Sequence, residues 1–529
     1  MGRKSLSTDP IHQGRHQPAP PSGGKGIPPH PPGARDRRLK AALLAVFGLA
    51  LAIRLVDLTD PPLDFQAWRQ LRSASIARAM YFEMATDAPP QLREKAIELG
   101  RFEPLEPPVF ERVVSLGYRA VGREELWIAR LLAILFWLAG GGALFLLARA
   151  DASGRGALLG LIYYFFLPFG VVVSRSFLPD VPMTAMAVSS AFLMYRWVGD
   201  PKWSGALLAG LVSGFAILLK VFAAFPLFLL TAFLVLREWG LRKTVFRPQV
   251  WVVAIVAGSV PALYYFFFLG AGAAPEYLAG WVVPYTRLLL QPWFYLRWAA
   301  ALQRTVSLAA VVVAALGFVL ARGRVRWLLA GLWIGYVFIG ASVPSLIISH
   351  DYYQTLLIPL VALSLVPAAD WAWARIPPRQ PWAFLTVAAV SAAVVLLGAA
   401  SVDKLLERDY RAEVLGWIKM GRELPEEGRF IGLSHDYNAR VRYYGWTRVD
   451  QWPHLTDREM SALRGGNYDP NDPSVWEDFR RRTEGYDYFL VTLFGEFERQ
   501  PLLKAILFDR FPVTDGDGYL LFHLQDADG

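Results

Sequence analysis

The stretch DFQAWRQLRSASIAR, from Asp64 to Arg78, combines one carboxylate with three arginines just beyond the first long apolar run of the chain. Arg69 and Arg72 are three residues apart, so they would share one face of a helix. The planar guanidinium of an arginine can bind two oxygens of a phosphate at once. A carboxylate beside such cations suits a substrate that carries both a phosphate and a hydroxyl.

Further charged and aromatic residues stand at the starts or ends of the polar segments that separate the apolar runs. These residues are Glu106, Asp180, Lys220, Arg287, His350, Tyr352 and Tyr353. Each also has a structural alternative. A cation can extend to lipid headgroups, Asp180 can cap the helix that follows it, and tyrosines are common where a membrane meets water. Asp64 can likewise be a solvated acid of a loop.

The composition indicates which elements must position these residues. The chain has 529 residues, of which 54% are hydrophobic and 19% are charged, whereas an ordinary soluble domain has roughly 25% charged residues. Apolar runs of about 18 to 22 residues, enough to cross a hydrocarbon core of roughly 30 Å as a helix, recur along most of the chain. A single soluble domain is therefore excluded.

About eleven transmembrane helices are predicted. Their expected spans are 41–58, 126–149, 156–174, 182–198, 203–219, 221–236, 249–270, 302–321, 327–347, 353–371 and 382–401. With that count, five short basic segments fall on one side, and an excess of Lys and Arg marks the cytoplasmic side of a membrane. The N-terminus is therefore expected inside, and the long loop of residues 59–125 is expected outside.

The expected fold is an all-α polytopic membrane protein with a small C-terminal extracytoplasmic α/β domain. Residues 1–40, rich in Pro, Gly and basic residues, are predicted to be a disordered cytoplasmic tail before a retained first span. Residues 41–401 would form the transmembrane domain. Residues 402–529 are of mixed polarity, and they predict a helix at YRAEVLGWIKMGREL and strands at RFIGLS, YDYFLVT and GYLLFHL.

Charge and cysteine content exclude other kinds of partner and site. Residues 402–529 hold 17 Lys+Arg and 24 Asp+Glu, or −7, and since the whole chain carries +9, residues 1–401 carry +16. That excess fits basic cytoplasmic loops better than a nucleic-acid groove, so no nucleic acid is expected as a partner. The chain contains no cysteine, so neither disulfides nor thiolate metal sites contribute.

Several segments, taken in their order along the chain, resemble the integral-membrane glycosyltransferases of the GT-C fold. The segments that carry the resemblance are PPLDFQAWRQLRSASIARAMY, EPPVFERVVSLGYRAVGREELWIARLLAIL, VVSRSFLPDVPMTA, GFAILLKVFAAFPL and HDYYQTLLIPLVAL. Within that fold, the chain is similar to the family 39, protein mannosyltransferase and aminoarabinose transferase-like group. The resemblance covers most of residues 41–400.

The resemblance implies an inverting enzyme of the bacterial cytoplasmic membrane that uses a polyprenyl-phosphate sugar as its donor substrate. The hexosyl or pentosyl group would pass to a hydroxyl of a lipid, a cell-envelope glycan or a protein on the outer face. Asp64 would be the general base for that hydroxyl, and Asp180 would position the acceptor or the sugar. The implied substrate-binding residues are Arg69, Arg72, Glu106, Lys220, His350, Tyr352 and Tyr353.

One residue departs from the pattern of this group. Many relatives have a lysine before the paired prolines of the first loop, whereas this chain has Glu106 in LEPPVF. Phosphate binding is then expected to depend on the arginines, and Glu106 is expected to face the acceptor or a divalent ion. A few scattered carboxylates are weak evidence for a metal, so the metal question stays open.

Two other functions are compatible with a polytopic chain. A transporter or lipid flippase would need ionisable groups near the middle of the bilayer, and often internal repeats, but the middles of the spans are nearly free of charge. A non-catalytic scaffold with an outer binding domain predicts no loss when Asp64 is replaced. In the C-terminal domain, His435 and Asp436 are more typical of a structural loop, and the domain is expected to recognise the acceptor or act as a lid.

Overall fold

The computed structural model describes residues 1–2, 34–102, 106–267, 283–375, 381–463 and 475–525. Contacts divide the chain into Met1–Leu44 and Ala45–Gly529. The helices up to residue 406 are α1 (Ala34–Leu55), α2 (Ala67–Met84), α3 (Pro90–Leu99), α4 (Val109–Val121), α5 (Leu126–Arg149), α6 (Gly154–Phe166), α7 (Pro168–Val173), α8 (Asp180–Gly199), α9 (Trp203–Leu219), α10 (Ala224–Val245), α11 (Pro248–Phe267), α12 (Pro292–Thr305), α13 (Leu308–Leu320), α14 (Gly323–Ser342), α15 (Pro344–Ser349), α16 (Leu357–Arg375) and α17 (Pro381–Leu406). Short 3-10 helices lie at Val221–Ala223, Val283–Leu290 and Asp351–Gln354.

Among the described residues, five helical segments are long and apolar enough to cross a membrane. They are Leu126–Arg149, Val221–Val245, Pro248–Phe267, Gly323–Ser342 and Asp351–Arg375. Helices α12 and α13 would make a sixth span if counted together, although they meet at an angle of 93°. Apart from a few residues at their ends, the described parts of the eleven predicted spans lie on one helix or on two consecutive helices, while residues 268–270 of the span 249–270 lie outside the described residues. The number of membrane spans stays a prediction.

The predicted span 156–174 is broken into α6 and α7, and the break falls at Pro168. Proline has no backbone N–H to continue the helical hydrogen bonds, so α6 ends and α7 begins with the proline in its first turn. The break lies beside the end of α1, where Arg54 is fully buried. Its guanidinium donates to Ser174 Oγ at 2.6 Å and to the carbonyl of Phe165 at 2.7 Å. One arginine thus joins three helices near the start of the long loop.

Small residues let some of the apolar helices approach closely. A Cβ atom added to Gly331 of α14 would lie 2.4 Å from the Cα of Leu230 in α10, and one added to Gly335 would lie 2.3 Å from the Cα of Pro226. Glycines at such contacts allow backbones to pack, as they do between membrane helices. Helices α10 and α14 are therefore tightly packed against each other.

The C-terminal segment contains a mixed five-stranded sheet. Its elements are α18 (Arg411–Glu423), β1 (Phe430–Leu433), α19 (Ala439–Tyr444), β2 (Val449–Gln451), α20 (Leu455–Leu463), α21 (Val475–Thr483), β3 (Tyr488–Val491), α22 (Phe494–Glu498), α23 (Pro501–Arg510), β4 (Val513–Gly516) and β5 (Tyr519–His523). The strand order is β2-β1-β3-β5-β4. Strand β1 pairs in parallel with β2 and β3, whereas β5 is antiparallel to β3 and β4.

The structure confirms the predicted helix at the start of this segment and its three predicted strands, which are β1, β3 and β5. All four residues of β1 are buried, because apolar clusters cover both faces of the sheet. The predicted domain boundary at residue 402 falls inside α17 and stays a prediction. Contacts group Ala45–Gly529 as one unit.

Helix α2 is the element that matters most for the site. It begins after Gln66, whose backbone is left-handed with φ 47°, a conformation that costs a non-glycine residue about 1 to 3 kcal/mol. The helix packs against α3, α4 and α19. Its arginines Arg69, Arg72 and Arg78 are all buried, so α2 carries charge into the interior, where each charge requires a partner.

Candidate active site

Lys220 and Asp180 form a buried ion pair between two helix ends. Lys220 follows the last residue of α9 in extended conformation, and its Nζ donates to Oδ1 of Asp180 at 2.6 Å. The side chains are only 3% and 1% exposed. The N-cap residue of α8 is Pro179 and Asp180 is the first residue of the helix, so Asp180 is not the N-cap. Its Oδ2 accepts no hydrogen bond from the described residues.

Glu106 joins this pair to Arg69. The Nη2 atom of Arg69 lies 2.8 Å and 2.9 Å from the two oxygens of the Glu106 carboxylate. The Nζ of Lys220 is 3.8 Å from Oε1 of the same group. Burial by itself would raise the pKa of Glu106, but Arg69 and Lys220 outweigh burial and hold that pKa below its ordinary value. Glu106 is therefore ionised at neutral pH, between two cations.

Three aromatic side chains complete a group that we call the first cluster. Its members are Arg69, Glu106, Asp180, Lys220, His350, Tyr352 and Tyr353. The Nζ of Lys220 is 4.7 Å from the ring centre of Tyr352 and 4.5 Å from that of Tyr353. The guanidinium of Arg69 is 5.7 Å from the ring of Tyr352. His350 packs against both tyrosine rings. Burial, with the charges of Arg69 and Lys220, lowers the pKa of His350 to about 4, so its imidazole is neutral at pH 7.

Arg72 and Glu111 extend the cluster along α2. The guanidinium of Arg72 is 5.4 Å from the ring of Phe102. Burial first, and the charge of Arg69 second, lower its pKa. Glu111 of α4 accepts a hydrogen bond from Ser73 at 2.7 Å, while its Oε2 has no hydrogen-bond partner among the described residues. Burial raises the pKa of Glu111.

Asp64 belongs to a second cluster. Its Oδ1 lies 3.5 Å from Nη2 of Arg130 and 3.4 Å from Nε2 of Gln70. Arg130 also approaches the backbone carbonyls of Asp57, Leu58 and Pro61 at 3.4 Å each. Arg130 therefore fixes the loop that carries Asp64. This short loop ends at Gln66, the residue with the left-handed backbone just before α2.

Gln70 links the two clusters. Its side-chain amide donates to the carbonyl of Phe65 at 2.6 Å, while its Oε1 accepts from the backbone N–H of Phe177 at 2.8 Å. Phe177 precedes Asp180 by three residues, and Arg69 precedes Gln70 by one. The first turn of α2 thus presents Arg69 to the first cluster and Gln70 to Asp64.

Two of the cations singled out from the sequence lie elsewhere. Arg78, more than two helical turns beyond Arg69, pairs with Glu124 at 2.8 Å and donates to the carbonyl of Tyr443 at 2.7 Å. Arg287 is exposed in the 3-10 helix Val283–Leu290. Of the predicted cations, Arg69, Arg72, Lys220 and His350 lie in or beside the first cluster.

No group of three or more His, Asp or Glu side chains that could hold a metal ion occurs in the part of the chain that the structure describes. The two clusters instead contain carboxylates that are paired with arginine or lysine. Their chemistry is that of charge-assisted hydrogen bonds to oxygen anions.

Comparisons with known proteins support the fold. Residues 105–265 match the family described as dolichyl-phosphate-mannose-protein mannosyltransferase. ArnT from Cupriavidus metallidurans, solved with bound undecaprenyl phosphate, superposes with a TM-score of 0.54 at 16% identity over 91% of this chain and 98% of its own. The archaeal oligosaccharyltransferase AglB from Archaeoglobus fulgidus, in complex with an inhibitory peptide and a dolichol-phosphate, gives a TM-score of 0.55 at 10% identity over 93% and 75%. The chain has the GT-C fold.

No curated protein sequence is significantly similar to the chain. The predicted resemblance to the GT-C glycosyltransferases is confirmed, and the chain is a multi-pass membrane protein. The predicted fold class, helical with a small C-terminal sheet, is also confirmed. The roles of individual residues in this GT-C protein stay predictions.

Sequence reasoning missed three residues of the site, Arg130, Gln70 and Glu111. Arg130 carried a signal, because it stands in the first turns of the apolar run LWIARLLAIL, where an isolated charge is costly unless it has a partner. Gln70 and Glu111 carried none, since polar residues at helix positions near a loop are usually exposed.

Proposed function

We propose that this protein is an inverting glycosyltransferase that moves a sugar from a polyprenyl phosphate to an acceptor hydroxyl on the outer face of the bacterial cytoplasmic membrane. The observation that carries the proposal is the buried cluster of Arg69, Lys220, Glu106 and Asp180 beneath Tyr352 and Tyr353. The presence of undecaprenyl phosphate in ArnT and of dolichol-phosphate in AglB supports a lipid phosphate as the donor group.

The donor phosphate would bind to Arg69 and Lys220. In the structure, both cations contact Glu106, whose two oxygens resemble two oxygens of a phosphate in charge and spacing. A bound phosphate would take over those contacts from the carboxylate. Asp180 holds the Nζ of Lys220 in place during this exchange, and Tyr352 and Tyr353 shield it from water. Arg72, one helical turn beyond Arg69, adds positive charge at the same face.

Asp64 would be the general base. The acceptor hydroxyl gives its proton to the Asp64 carboxylate while its oxygen forms a bond to the anomeric carbon of the donor. The bond between that carbon and the phosphate oxygen breaks, and the phosphate leaves with the electron pair, which inverts the configuration. Arg130 and Gln70 orient the carboxylate. The leaving phosphate is stabilised by Arg69 and Lys220, so it needs no separate acid.

The membrane orientation predicted from eleven spans favours an outer site. With eleven spans, the basic segments all lie in the cytoplasm, and the loop 59–125, which carries Asp64 and Glu106, lies outside together with the C-terminal segment. Lipid-linked sugars that are used on that face reach the site from the bilayer.

Replacement of Asp64 tests the proposal. Purified protein in nanodiscs would be given a panel of radiolabelled polyprenyl-phosphate sugars. Two rates would be measured, the transfer of the labelled sugar to acceptors in an envelope extract and the hydrolysis of the donor by water. We expect Asp64→Asn to lose about 10² to 10⁴-fold of the rate, which is the usual contribution of a general base. The control is Asp87→Asn, which changes an exposed acid of the same loop. The proposal fails if wild type consumes no donor or if Asp64→Asn matches it.

A further inference from the structure

A second feature of the molecule is a large cleft between the loop 59–125 and the C-terminal segment. Its volume is about 900 Å³, near the upper end of the range found for small-molecule sites. The walls are formed by α2 and α3, by the start of α5, and by α18 with the turn that follows α19. No residue of the first cluster lines this cleft, so it is separate from the place assigned to the donor phosphate.

The lining of the cleft is polar and carries both signs of charge. Four carboxylates and four cations line it, and Arg448 lies 3.8 Å from Glu98 across it. The aromatic side chains of Trp127, Tyr444 and Trp446 also contribute to the walls. These rings give the otherwise polar cleft several flat apolar surfaces.

These features fit a saccharide better than a lipid chain or an extended peptide. A sugar presents hydroxyls that both donate and accept hydrogen bonds, and apolar C–H faces that pack on aromatic rings. A lipid chain would need apolar walls. A peptide that bound as an added strand would need a free strand edge, but the strand residue in the cleft, Phe430, belongs to β1, whose two edges are paired with β2 and β3.

The cleft lies beside the cluster that contains Asp64. Leu126 and Trp127 of α5 line the cleft. Arg130 follows Leu126 by four residues and Trp127 by three, so it lies on the same face of α5, about one turn or 5.4 Å along the helix. Arg130 in turn contacts Asp64.

We infer that the cleft binds a saccharide segment of the acceptor and directs one of its hydroxyls towards Asp64. The inference rests on the proposed function and adds the class of acceptor, a cell-envelope glycan. Glu98 and Arg448 would bind sugar hydroxyls, and the ring of Trp127 would contact a sugar face.

Binding of soluble sugars tests the inference. Hexasaccharides of mannose, glucose, galactose and arabinose would be titrated against the full protein in nanodiscs, with tryptophan fluorescence as the signal. The double variant Glu98→Gln with Arg448→Gln leaves the net charge unchanged, and Trp127→Leu removes an aromatic ring from the wall. We expect at least one hexasaccharide to bind, and each variant to weaken its binding about tenfold, as for one lost hydrogen bond to a charged group or one lost aromatic contact.

Matched controls separate the cleft from the donor site. Glu498→Gln with Lys504→Gln removes an exposed ion pair of the C-terminal segment that does not line the cleft, and it should bind the hexasaccharide as wild type does. Binding of undecaprenyl phosphate should be unchanged in all variants. A general loss of both ligands in a cleft variant would be unfolding, and circular dichroism melting identifies it. Val414→Trp, which fills the cleft from α18, then provides an independent block of the sugar.

The outcomes separate this inference from the proposed function. If no hexasaccharide binds, if the cleft variants bind as wild type does, or if a serine- and threonine-containing decapeptide binds instead, the inference is overturned, even when Asp64 is required for donor hydrolysis. If a hexasaccharide binds in the cleft but the donor is never consumed, the cleft stands as a saccharide site and the proposed function fails.

Discussion

At the scale of single residues, Glu106 is the unusual group of the site. It places a carboxylate where the resemblance implies a lysine, and this carboxylate pairs with Arg69 at 2.8 Å and lies 3.8 Å from Lys220. The sequence predicted that the arginines would take over phosphate binding. In the structure Glu106 lies between Arg69 and Lys220, so a phosphate that bound to these cations as proposed would have to compete with its carboxylate. The affinity for the donor then depends on the difference between the free energies with which the two cations bind the phosphate and the Glu106 carboxylate.

Replacement of Glu106 by glutamine should have opposite effects on two quantities: it should strengthen binding of the lipid phosphate and lower the stability of the protein. Without the carboxylate, Arg69 and Lys220 are free to bind phosphate, and we expect the Kd for undecaprenyl phosphate to fall about tenfold, the effect of roughly one charge-assisted hydrogen bond. The same change leaves buried cations with fewer partners, so the melting temperature should fall. Calorimetric titration and thermal melting in nanodiscs measure the two effects.

Glu83→Gln is a suitable control for that experiment, because Glu83 is paired with Arg112 at 3.6 Å with both side chains about half exposed. It should change neither quantity measurably. Weaker or equal lipid binding by Glu106→Gln would contradict the anion-exchange argument and assign Glu106 to binding the substrate directly.

At the scale of elements, α2 connects the site to the C-terminal segment. Arg69 in its first turn meets the first cluster, and Arg78 near its other end lies between the rings of Tyr443 and Trp446, with ring distances of 3.8 Å and 4.4 Å. The charge of Arg78 is satisfied by Glu124. Because a helix is stiff, the C-terminal contact at Arg78 helps to fix the position of Arg69.

Replacement of Arg78 by lysine should weaken this connection. Lysine keeps the charge but loses the planar stacking and the second hydrogen bond. We expect a loss of about 2 to 4 kcal/mol in unfolding free energy, as for other broken buried charge networks, and slower sugar transfer because Arg69 is less well positioned. Chemical denaturation and initial transfer rates measure these effects. Arg119→Lys, at an exposed position of α4, should be silent, and equal behaviour of the two variants would exclude the coupling.

At the scale of the whole molecule, the chain after α17 returns to the start of the long loop. Asp60 accepts a hydrogen bond from the backbone N–H of Tyr410 at 3.1 Å, and Arg411 lies 3.5 Å from the same carboxylate. Arg411 also contacts Asp57. Burial raises the pKa of Asp60 from 3.8 to about 6, although Tyr410 and Arg130 oppose the rise. This junction is therefore sensitive to pH.

The stability of the protein should reflect this raised pKa. Between about pH 4 and 6, the folded state holds the Asp60 proton and the unfolded state has released it, so the contribution of this group to stability is lost as pH rises through that window. Asp60→Asn keeps an acceptor for Tyr410 and removes the titration. We expect the melting temperature of Asp60→Asn, relative to wild type, to be unchanged at pH 4 and to increase up to pH 7. A constant difference across this range would contradict the assignment.

Much of the fold could be predicted because it depends on local patterns. The apolar runs gave the positions of the long helices, and short apolar segments gave β1, β3 and β5. Strands β2 and β4 were not predicted, since VDQ and VTDG are short and largely polar. The breaks at Pro168 and between α12 and α13 were also not predicted, because a hydropathy window does not register a bend.

The sequence by itself determined that this chain enters a membrane many times, and that acids and cations stand at the ends of its apolar segments. Only the tertiary structure decided which of them meet. Lys220 pairs with Asp180, forty positions away, and Arg69 with Glu106, while Asp64 turns to Arg130. The physical reason is that hydropathy acts over consecutive residues, whereas a buried charge is stabilised by whichever opposite charge the packed helices bring within a few ångströms.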